Sequence, residues 1–234
     1  MTSIVLLPGM DGTGELFAPL LAAWGDQFRA QVVSYPCAER LDYAALADRV
    51  RSLLPRNEFY VLLAESFSGP LGVMLAAERP QRLRGLVLCA TFARSPLPLL
   101  RWTAPWAHAV PLAALPERVQ AWGLLGPYAT PSLLRAIRRA VQSVDPAVLA
   151  ARVRAVAEVD VSVAVSDVQV PVLYLQARND RAVPRGAVRP FVATLGDRLQ
   201  AASCAGPHCL LQACAADAAA AISAFISGLT PSGG

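Results

Sequence analysis

Ser66 lies in the segment AESFSG (64–69), where an apolar, β-rich run gives way at once to a helix of small residues. A serine in a tight strand-to-helix turn can act as a nucleophile, and its neighbours two positions away must be small because strand and helix pass close together. Ala64 and Ser68 have the required size in place of the usual glycines, and Gly69 follows. The segment equally fits a serine that caps a helix. Ser68, one turn into the helix, is predicted to point elsewhere.

Asp180 and His208 are the other two side chains whose positions favour catalysis. Asp180 stands three residues past a predicted strand, in ARNDRAVP (177–184). His208 stands in the Gly-Pro loop of AGPHCLLQ (205–212), before the last predicted helix. A serine hydroxyl becomes nucleophilic when a histidine takes its proton and a carboxylate orients that histidine. Taken singly, the aspartate also fits an ordinary turn and the histidine a structural role, but the three candidates follow three different strands in the order nucleophile, acid, base.

The glycine-rich loop PGMDGTG (8–14) follows the first predicted strand. Its glycines permit tight turns that direct main-chain amides inward, as the stabilisation of a developing oxyanion requires. A plain strand-to-helix turn or a phosphate-binding loop would also be rich in glycine. A phosphate loop uses Gly-Lys-Ser/Thr, and the chain contains no lysine. The loop is therefore a candidate oxyanion hole, with a structural turn as the alternative.

Short apolar runs predict the sheet that positions these loops. Most are continuously apolar rather than alternating, which is typical of parallel strands covered on both faces. Helical patterns lie between them, and this alternation predicts right-handed crossovers and an α/β, doubly wound, mostly parallel six-stranded sheet. The predicted strands are SIVLLP (3–8), QVVSYP (31–36), FYVLLAES (59–66), GLVLCATF (85–92), VPVLYLQA (170–177) and LQAASCAG (199–206).

The clearest helical pattern is DYAALADRVRSLL (42–54). Asp42 can cap its first turn, and Pro55 stops it. Its predicted apolar face has the three- and four-residue spacing of an amphipathic helix. That face consists of Tyr43, Leu46, Ala47, Val50, Leu53 and Leu54.

Residues 94–169 interrupt the alternation, because they contain no convincing strand pattern and several proline-punctuated helical segments. We predict that they form a helical cap over the carboxyl edge of the sheet, with residues 1–93 and 170–234 as the core. Three tryptophans of the cap either line an apolar substrate pocket or only pack the cap onto the sheet, and His108 is predicted to pack or to lie at the rim. The tryptophans are Trp102, Trp106 and Trp122.

The cap also carries many of the arginines. Most are predicted to lie on solvated helix faces, and a sharper alternative is that they dock an acidic partner. They are Arg101, Arg118, Arg135, Arg138, Arg139, Arg152 and Arg154.

Composition excludes several classes of protein. With 55% hydrophobic and 16% charged residues, the 234-residue chain can bury a substantial core. No apolar stretch approaches the roughly 18 residues of a membrane helix, and MTSIVLLPG lacks the features of a signal peptide, which predicts a cytoplasmic protein without a membrane span. The net charge of +4 is modest and no basic cluster indicates nucleic-acid binding. Five cysteines without CxxC spacing predict neither a disulfide framework nor a zinc site, and Cys89 is predicted to be a core residue.

Over nearly its whole length the chain resembles the small bacterial α/β-hydrolases. The matching stretches are LLPGMDGTGELFAPL, FYVLLAESFSGPLGVMLAAERPQRLRGLVLCATFA, VPVLYLQARNDRAVP and AGPHCLLQ. The resemblance implies that Ser66 is the nucleophile, His208 the general base and Asp180 its orienting acid, in the chain order of this family. It also implies an oxyanion hole formed by the main-chain amides of Met10 and Phe67.

The chain departs from the family pattern in four places. The nucleophile turn has Ala and Ser for Gly, the acid loop has Ala177 where Gly is common, and the oxyanion loop opens with Pro8-Gly9 rather than His-Gly. The family's first two strands are missing, which predicts a minimal α/β-hydrolase fold with six strands.

The function that follows is a serine carboxylic-ester hydrolase that acts on short to medium acyl esters through an acyl-enzyme, without a metal or a cofactor. One alternative is an esterase, thioesterase or acyltransferase that acts on substrates linked to an acyl carrier protein, because the chain also resembles the pimeloyl-carrier methyl ester esterases and carries cap arginines. The fold can support lyase chemistry as well. A non-catalytic binding protein with a degenerate site is the remaining alternative.

Overall fold

The computed structural model describes residues 2–96 and 117–229. Its centre is a six-stranded sheet in the order β2-β1-β3-β4-β5-β6, in which every neighbouring pair is parallel. This confirms the predicted fold class, with a wholly parallel sheet. The strands are β1 Ser3–Leu7, β2 Arg29–Val32, β3 Tyr60–Glu65, β4 Leu83–Cys89, β5 Val172–Ala177 and β6 Leu199–Cys204.

Helices cover both faces of the sheet. One core cluster joins one face of the strands to α2, α3 and α7, and a second joins the other face to α1, α8 and α9. This arrangement buries β1, β3, β4 and β5 almost completely. The helices are α1 Ala18–Trp24, α2 Tyr43–Leu53, α3 Gly69–Ala77, α4 Glu117–Leu124, α5 Pro131–Gln142, α6 Pro146–Glu158, α7 Arg189–Leu195, α8 Leu210–Ala213 and α9 Ala215–Gly228.

The second strand differs from its predicted range of 31–36. It begins at Arg29 and ends at Val32, and all its residues are exposed because it forms an edge of the sheet. Beyond it, the chain turns toward the glycine-rich loop, where the Tyr35 amide donates to the Gly12 carbonyl at 2.7 Å. The apolar residues Val33 and Tyr35 thus lie beyond the end of the strand, where they are buried in the core cluster that includes α2 and α3.

Helix α2 confirms its predicted cap and corrects one position of its apolar face. Asp42 Oδ1 accepts a hydrogen bond from the Ala45 amide at 2.8 Å. Of the two leucines predicted at the end of that face, Leu53 is 44% exposed, whereas Leu54 is buried as predicted. The reason is that the helix ends at Leu53, and Leu54 leaves it in an extended conformation that returns its side chain to the core.

Helices α4, α5 and α6 occupy most of the described part of residues 94–169. Thr130 and Asp145 cap α5 and α6 through the amides of Leu133 and Ala147, at 3.2 and 2.7 Å. Helix α5 turns its apolar face inward, where Ile137 packs with Leu125 and Cys209. Through Cys209 this helix reaches the loop that carries His208. No helix within residues 2–96 and 117–229 is long and apolar enough to cross a membrane.

Candidate active site

Ser66 occupies a strained turn between β3 and α3. Its φ of +50° lies in the left-handed region, which residues other than glycine adopt rarely. A single 3₁₀ turn, Ser66–Ser68, separates the strand from the helix. Helix α3 passes very close to β3 and to the residues after β4. A Cβ on Gly72 would lie 2.7 Å from the Ala64 Cβ, and a Cβ on Gly69 would lie 1.8 Å from Thr91 Oγ1. Alanine is therefore close to the size limit at position 64.

Hydroxyl groups hold the main chain of this turn in place. Thr91 Oγ1 donates to the Ser66 carbonyl, and the Tyr43 hydroxyl donates to the Phe67 carbonyl at 2.8 Å. The Tyr174 hydroxyl in turn donates to the Thr91 carbonyl at 2.6 Å. A strained backbone persists only where its surroundings determine it from several sides. These bonds supply that restraint.

The structure brings the three predicted catalytic side chains into one hydrogen-bonded chain. Ser66 Oγ lies 2.8 Å from His208 Nε2, and His208 Nδ1 lies 2.9 Å from Asp180 Oδ2. The histidine and aspartate side chains are both buried. With its proton on Nδ1 facing the carboxylate, the imidazole presents a lone pair at Nε2 to the serine hydroxyl. The arrangement can accept a proton from that hydroxyl and stabilise the imidazolium that forms.

Asp180 is also held by its own loop. Its Oδ1 accepts hydrogen bonds from the amides of Ala182 and Val183, both at 2.8 Å. The amide of the preceding residue, Asn179, donates to the Gly206 carbonyl at 2.9 Å and so ties this loop to the one that carries His208. Asp180 therefore stabilises a turn, which was the alternative interpretation of this residue, and it also contacts His208.

The two predicted oxyanion donors lie in the expected loops. Phe67 follows Ser66 directly, and its ring stacks on Tyr43 with centroids 4.9 Å apart. Met10 lies in the loop after β1, where Gly12 has a φ of +70° and its amide donates to the Gly9 carbonyl at 3.0 Å. The loop is therefore a closed turn.

Ser68 points away from His208, as predicted, but it makes contacts that the sequence did not indicate. Its fully buried hydroxyl donates to the Pro8 carbonyl and lies 2.6 Å from the Tyr35 hydroxyl. Because the serine proton goes to the carbonyl, the tyrosine is the donor in the second bond. Burial raises the pKa of Tyr35 and keeps that proton in place. The residue that replaces a motif glycine thus links the nucleophile turn to the glycine-rich loop.

Arg152 is an exception among the arginines of residues 94–169, most of which were predicted to lie on solvated helix faces. It is only 2% exposed. Burial lowers the pKa of its guanidinium, and the nearby Asp11 opposes that effect. The signal that could have found it is helical spacing, since Arg152 lies four residues from both Val148 and Val156, which are buried on the same helix.

Glu65 and Gln212 form a second buried contact that sequence reasoning missed. Glu65 precedes Ser66 and is 6% exposed, and its Oε1 accepts a hydrogen bond from Gln212 Nε2 at 2.9 Å. Burial raises the pKa of Glu65 to about 7, while the bond from Gln212 lowers it and Asp11 adds to the rise. The pair joins the nucleophile turn to the helix that follows His208.

The raised pKa of Glu65 predicts a pH-dependent stability. Because the folded state binds this proton more tightly than the unfolded chain, the stabilising contribution is complete below the ordinary value of 4.5 and is lost as the pH rises through about 7. The loss by about pH 8 is on the order of 3 kcal/mol. We expect Glu65→Gln to remove it, so that the melting temperature of the variant falls less between about pH 5 and about pH 8 than that of the wild type.

Thermal unfolding of both proteins across that pH range measures this effect. Glu15→Gln removes an exposed carboxylate and controls for the change in net charge. Parallel profiles for the wild type and Glu65→Gln would show that Glu65 does not take up a proton on folding.

The predicted tryptophan pocket is described only in part. Trp102, Trp106 and His108 lie outside the described residues. Trp122 is 63% exposed, and the Arg181 guanidinium lies 4.6 Å from its ring centroid. Since Arg181 follows Asp180 in the chain, Trp122 lies on the acid-loop side of the site, and its role in a pocket stays a prediction.

The sheet order, together with a serine after β3, an aspartate after β5 and a histidine after β6, is the architecture of the α/β-hydrolase fold. The chain therefore has this fold. Similar solved structures include an enol-lactonase from Burkholderia xenovorans LB400, with a TM-score of 0.83 and 20% identity over 97% of this chain and 91% of the other. A thermophilic esterase from Thermogutta terrifontis has a TM-score of 0.84 and 19% identity, and the match covers 99% of this chain and 91% of the other. A bromoperoxidase from Bacillus anthracis has a TM-score of 0.82 and 15% identity, and the match covers 97% of this chain and 92% of the other.

Among curated proteins, the chain is similar to the chloroplastic phytyl ester synthase 1 of Arabidopsis thaliana. The two are 33% identical over 109 residues, which is 42% of this chain. The chain spans only about 15% of the length of that relative. No protein-family model matches the chain.

Proposed function

We propose that this chain is a serine hydrolase that cleaves carboxylic esters of short to medium acyl chains. The observation that carries the proposal is the continuous contact from Ser66 Oγ through His208 to the Asp180 carboxylate. The φ of +50° at the serine supports it further, because a plain helix cap has no need of that strain.

The first half of the reaction transfers the acyl group to Ser66. His208 Nε2 accepts the hydroxyl proton as Oγ attacks the ester carbonyl, and the carbonyl oxygen becomes an oxyanion that the amides of Met10 and Phe67 bind. The carbon–oxygen bond to the alcohol then breaks. The imidazolium gives its proton to the departing alkoxide, and the acyl-enzyme remains.

The second half repeats these steps with water. His208 takes a proton from water as the water oxygen attacks the acyl carbon, and the resulting tetrahedral species expels Ser66 Oγ. The proton returns from His208 to the serine, and the carboxylic acid leaves. Throughout, Asp180 holds the imidazole in one orientation and stabilises its charged form. We further propose that the helices of residues 94–169 select the acyl or alcohol chain.

Covalent labelling tests the proposed nucleophile directly. We expect a fluorophosphonate to form one adduct on the folded protein, because the phosphorus is attacked only by a serine with a general base in place. Trypsin releases the residue as part of peptide 57–82, which also contains Ser68, so tandem mass spectrometry must locate the adduct. Heat-unfolded protein is the control. An unlabelled folded protein, or an adduct on Ser68, would contradict the proposal and favour a binding protein.

A second candidate is acyl transfer to an alcohol, and the similarity to a protein named a phytyl ester synthase favours it. Transfer differs from hydrolysis only in the acceptor that attacks the acyl-enzyme. Addition of phytol to the reaction with p-nitrophenyl butyrate distinguishes the two. Phytyl butyrate as the main product would assign transfer, and butyrate alone would assign hydrolysis.

The exposed arginines of α5 support a carrier-linked substrate as a narrower alternative. Arg135 and Arg139 are exposed on this helix, whereas Arg152 is buried and no longer belongs to the set. Reversing the charge at Arg135 and Arg139 should weaken activity on a carrier-bound ester and spare p-nitrophenyl butyrate. The same reversal at Arg154, exposed on α6, is the control. Equal losses on both substrates would reject docking of an acidic carrier.

A further inference from the structure

Arg152 connects a helix of the 94–169 segment to the loop that carries Met10. We propose that Arg152 is a positioning residue that fixes the direction of the Met10 main-chain N–H in the oxyanion hole. This inference rests on the function proposed above. It assigns to the arginine an effect on the transition state that it exerts through the loop, without touching the substrate.

The Met10 N–H belongs to the peptide group that joins Gly9 to Met10, so its direction follows from the orientation of that group. The carbonyl of the same group accepts the Gly12 amide at 3.0 Å. The carbonyl before it, on Pro8, accepts the Ser68 hydroxyl. The carbonyl after it, on Met10, accepts Arg152 Nη1 at 2.9 Å. Three consecutive carbonyls are thus held from three parts of the chain, which leaves the amide between them little freedom to turn.

The guanidinium suits this task because its donors form a rigid planar fork. Nη1 also donates to the Asp11 carbonyl at 2.7 Å, and Nη2 donates to the Pro36 carbonyl at 2.9 Å. One side chain therefore spans the loop after β1 and the segment after β2. A lysine ammonium is a point donor on a flexible stem and cannot reproduce that span.

The loop is shaped around the guanidinium. A Cβ on Gly12 would lie 2.6 Å from Arg152 Nη1, and the φ of +70° at this glycine is itself unfavourable for other residues. The guanidinium carbon lies 5.8 Å from the centroid of the Tyr35 ring, whose residue donates its amide to the Gly12 carbonyl. Because the arginine is buried, water does not compete for these bonds.

A purely structural role makes a different prediction from a positioning role. If Arg152 only tied α6 to the core, its loss would lower the melting temperature and leave the turnover of the folded protein unchanged. If it directs the Met10 N–H, its loss weakens a bond that is strongest in the transition state, so kcat falls while KM changes little.

The test compares Arg152→Met, Arg152→Lys and the control Arg154→Met in hydrolysis of p-nitrophenyl butyrate. Arg154 lies on the same helix, is 64% exposed and pairs with Glu158 at 2.9 Å. A displacement of about 1 Å at a reacting centre costs up to about 10²-fold. We expect kcat to fall about tenfold to a hundredfold in both Arg152 variants, with KM within about threefold. The affinity for butylboronic acid, which forms a tetrahedral adduct on the serine, should fall in parallel with kcat, and Arg154→Met should match the wild type.

Hydrogen exchange supplies a readout independent of activity. The amide of Gly12 should exchange faster in Arg152→Lys than in the wild type, because the Met10 carbonyl, next to its partner carbonyl on Gly9, is no longer held by the guanidinium. Arg152→Lys keeps a buried cation and most of the side-chain volume. It therefore tests the positioning role even if Arg152→Met does not fold.

Two results would overturn the inference. One is a kcat in Arg152→Lys within about twofold of the wild type, and the other is a loss of kcat without any loss of boronic acid affinity. Either leaves the proposed function intact. Failure of the proposed function is distinguishable, since it would show as wild-type protein that neither hydrolyses the ester nor accepts a fluorophosphonate.

Discussion

Ser66→Ala is expected to lower kcat for hydrolysis of p-nitrophenyl butyrate by a factor of at least about 10⁴. The substitution removes the only atom that forms the acyl-enzyme and leaves His208 without a hydroxyl to deprotonate. The residual rate would come from the oxyanion donors and from binding alone. Activity at a tenth of the wild-type level would show that another group carries the reaction.

The fold of this variant should be retained. Alanine can adopt a positive φ in this chain, because Ala90 already has a φ of +48°. The bonds that hold the turn go to main-chain carbonyls, and the substitution leaves them unchanged. Melting temperatures of the variant and the wild type should therefore be close, so that a loss of rate reports chemistry.

Ser68→Ala is the matched control on the same turn. It removes a hydroxyl of the same kind that contacts Pro8 and Tyr35 rather than His208. We expect it to keep the fluorophosphonate adduct on Ser66 and to lose less than about a hundredfold in kcat, because it loosens one restraint on the glycine-rich loop without removing a reacting atom. A loss of kcat equal to that of Ser66→Ala would contradict the assignment of Ser66 as the nucleophile.

The sheet was predictable because its interior strands leave a simple pattern in the sequence. Strands β3 and β5 are buried on both faces and read as continuous apolar runs. Edge strand β2 has no such requirement: its residues are exposed, and the apolar run used to place it belongs to the loop that follows. The prediction therefore failed because the buried apolar residues lie beyond the end of the strand and not within it.

The turn around Ser66 was predicted from size, and the structure shows where size matters most. The motif directs attention to positions 64 and 68, yet the closest approaches are at Gly69 and Gly72. Ser68 fills its position with a hydroxyl that has its own partner. A motif read from spacing alone could not show this, because Pro8 lies 60 residues away in the chain.

The contacts that were missed depend on packing between distant segments. Glu65 and Gln212 are separated by 147 positions, and neither residue type predicts burial. Arg152 is different, since its spacing from two buried valines on α6 indicated an inward position. Arginine is exposed in most proteins, but here three main-chain carbonyls accept hydrogen bonds from the buried guanidinium.

Asp180→Asn is expected to lower kcat by a factor of about 10⁴, the loss that the equivalent substitution causes in a serine protease with a Ser-His-Asp triad. The reason lies in the direction of the new amide. Its oxygen can keep the hydrogen bonds from the amides of Ala182 and Val183, so the loop has no cause to rearrange. That leaves the NH₂ group facing His208 Nδ1 in place of Oδ2, which at 2.9 Å is the nearer carboxylate oxygen, while Oδ1 lies 3.1 Å from the same nitrogen.

An imidazole that accepts a hydrogen bond from this NH₂ group presents its lone pair at Nδ1 and carries its proton at Nε2. Nε2 then faces Ser66 Oγ as a donor and cannot accept the hydroxyl proton.

The tautomer can be measured by ¹⁵N NMR, because the chain has only two histidines and His108→Gln leaves a single imidazole. We expect the proton of the neutral His208 ring on Nδ1 in the protein with Asp180 and on Nε2 in the Asp180→Asn variant. Asp197→Asn, which removes an exposed aspartate, controls for charge. If kcat fell less than tenfold, or if the proton stayed on Nδ1, Asp180 would not be the group that sets the tautomer, and the carboxylate would serve only the turn it caps.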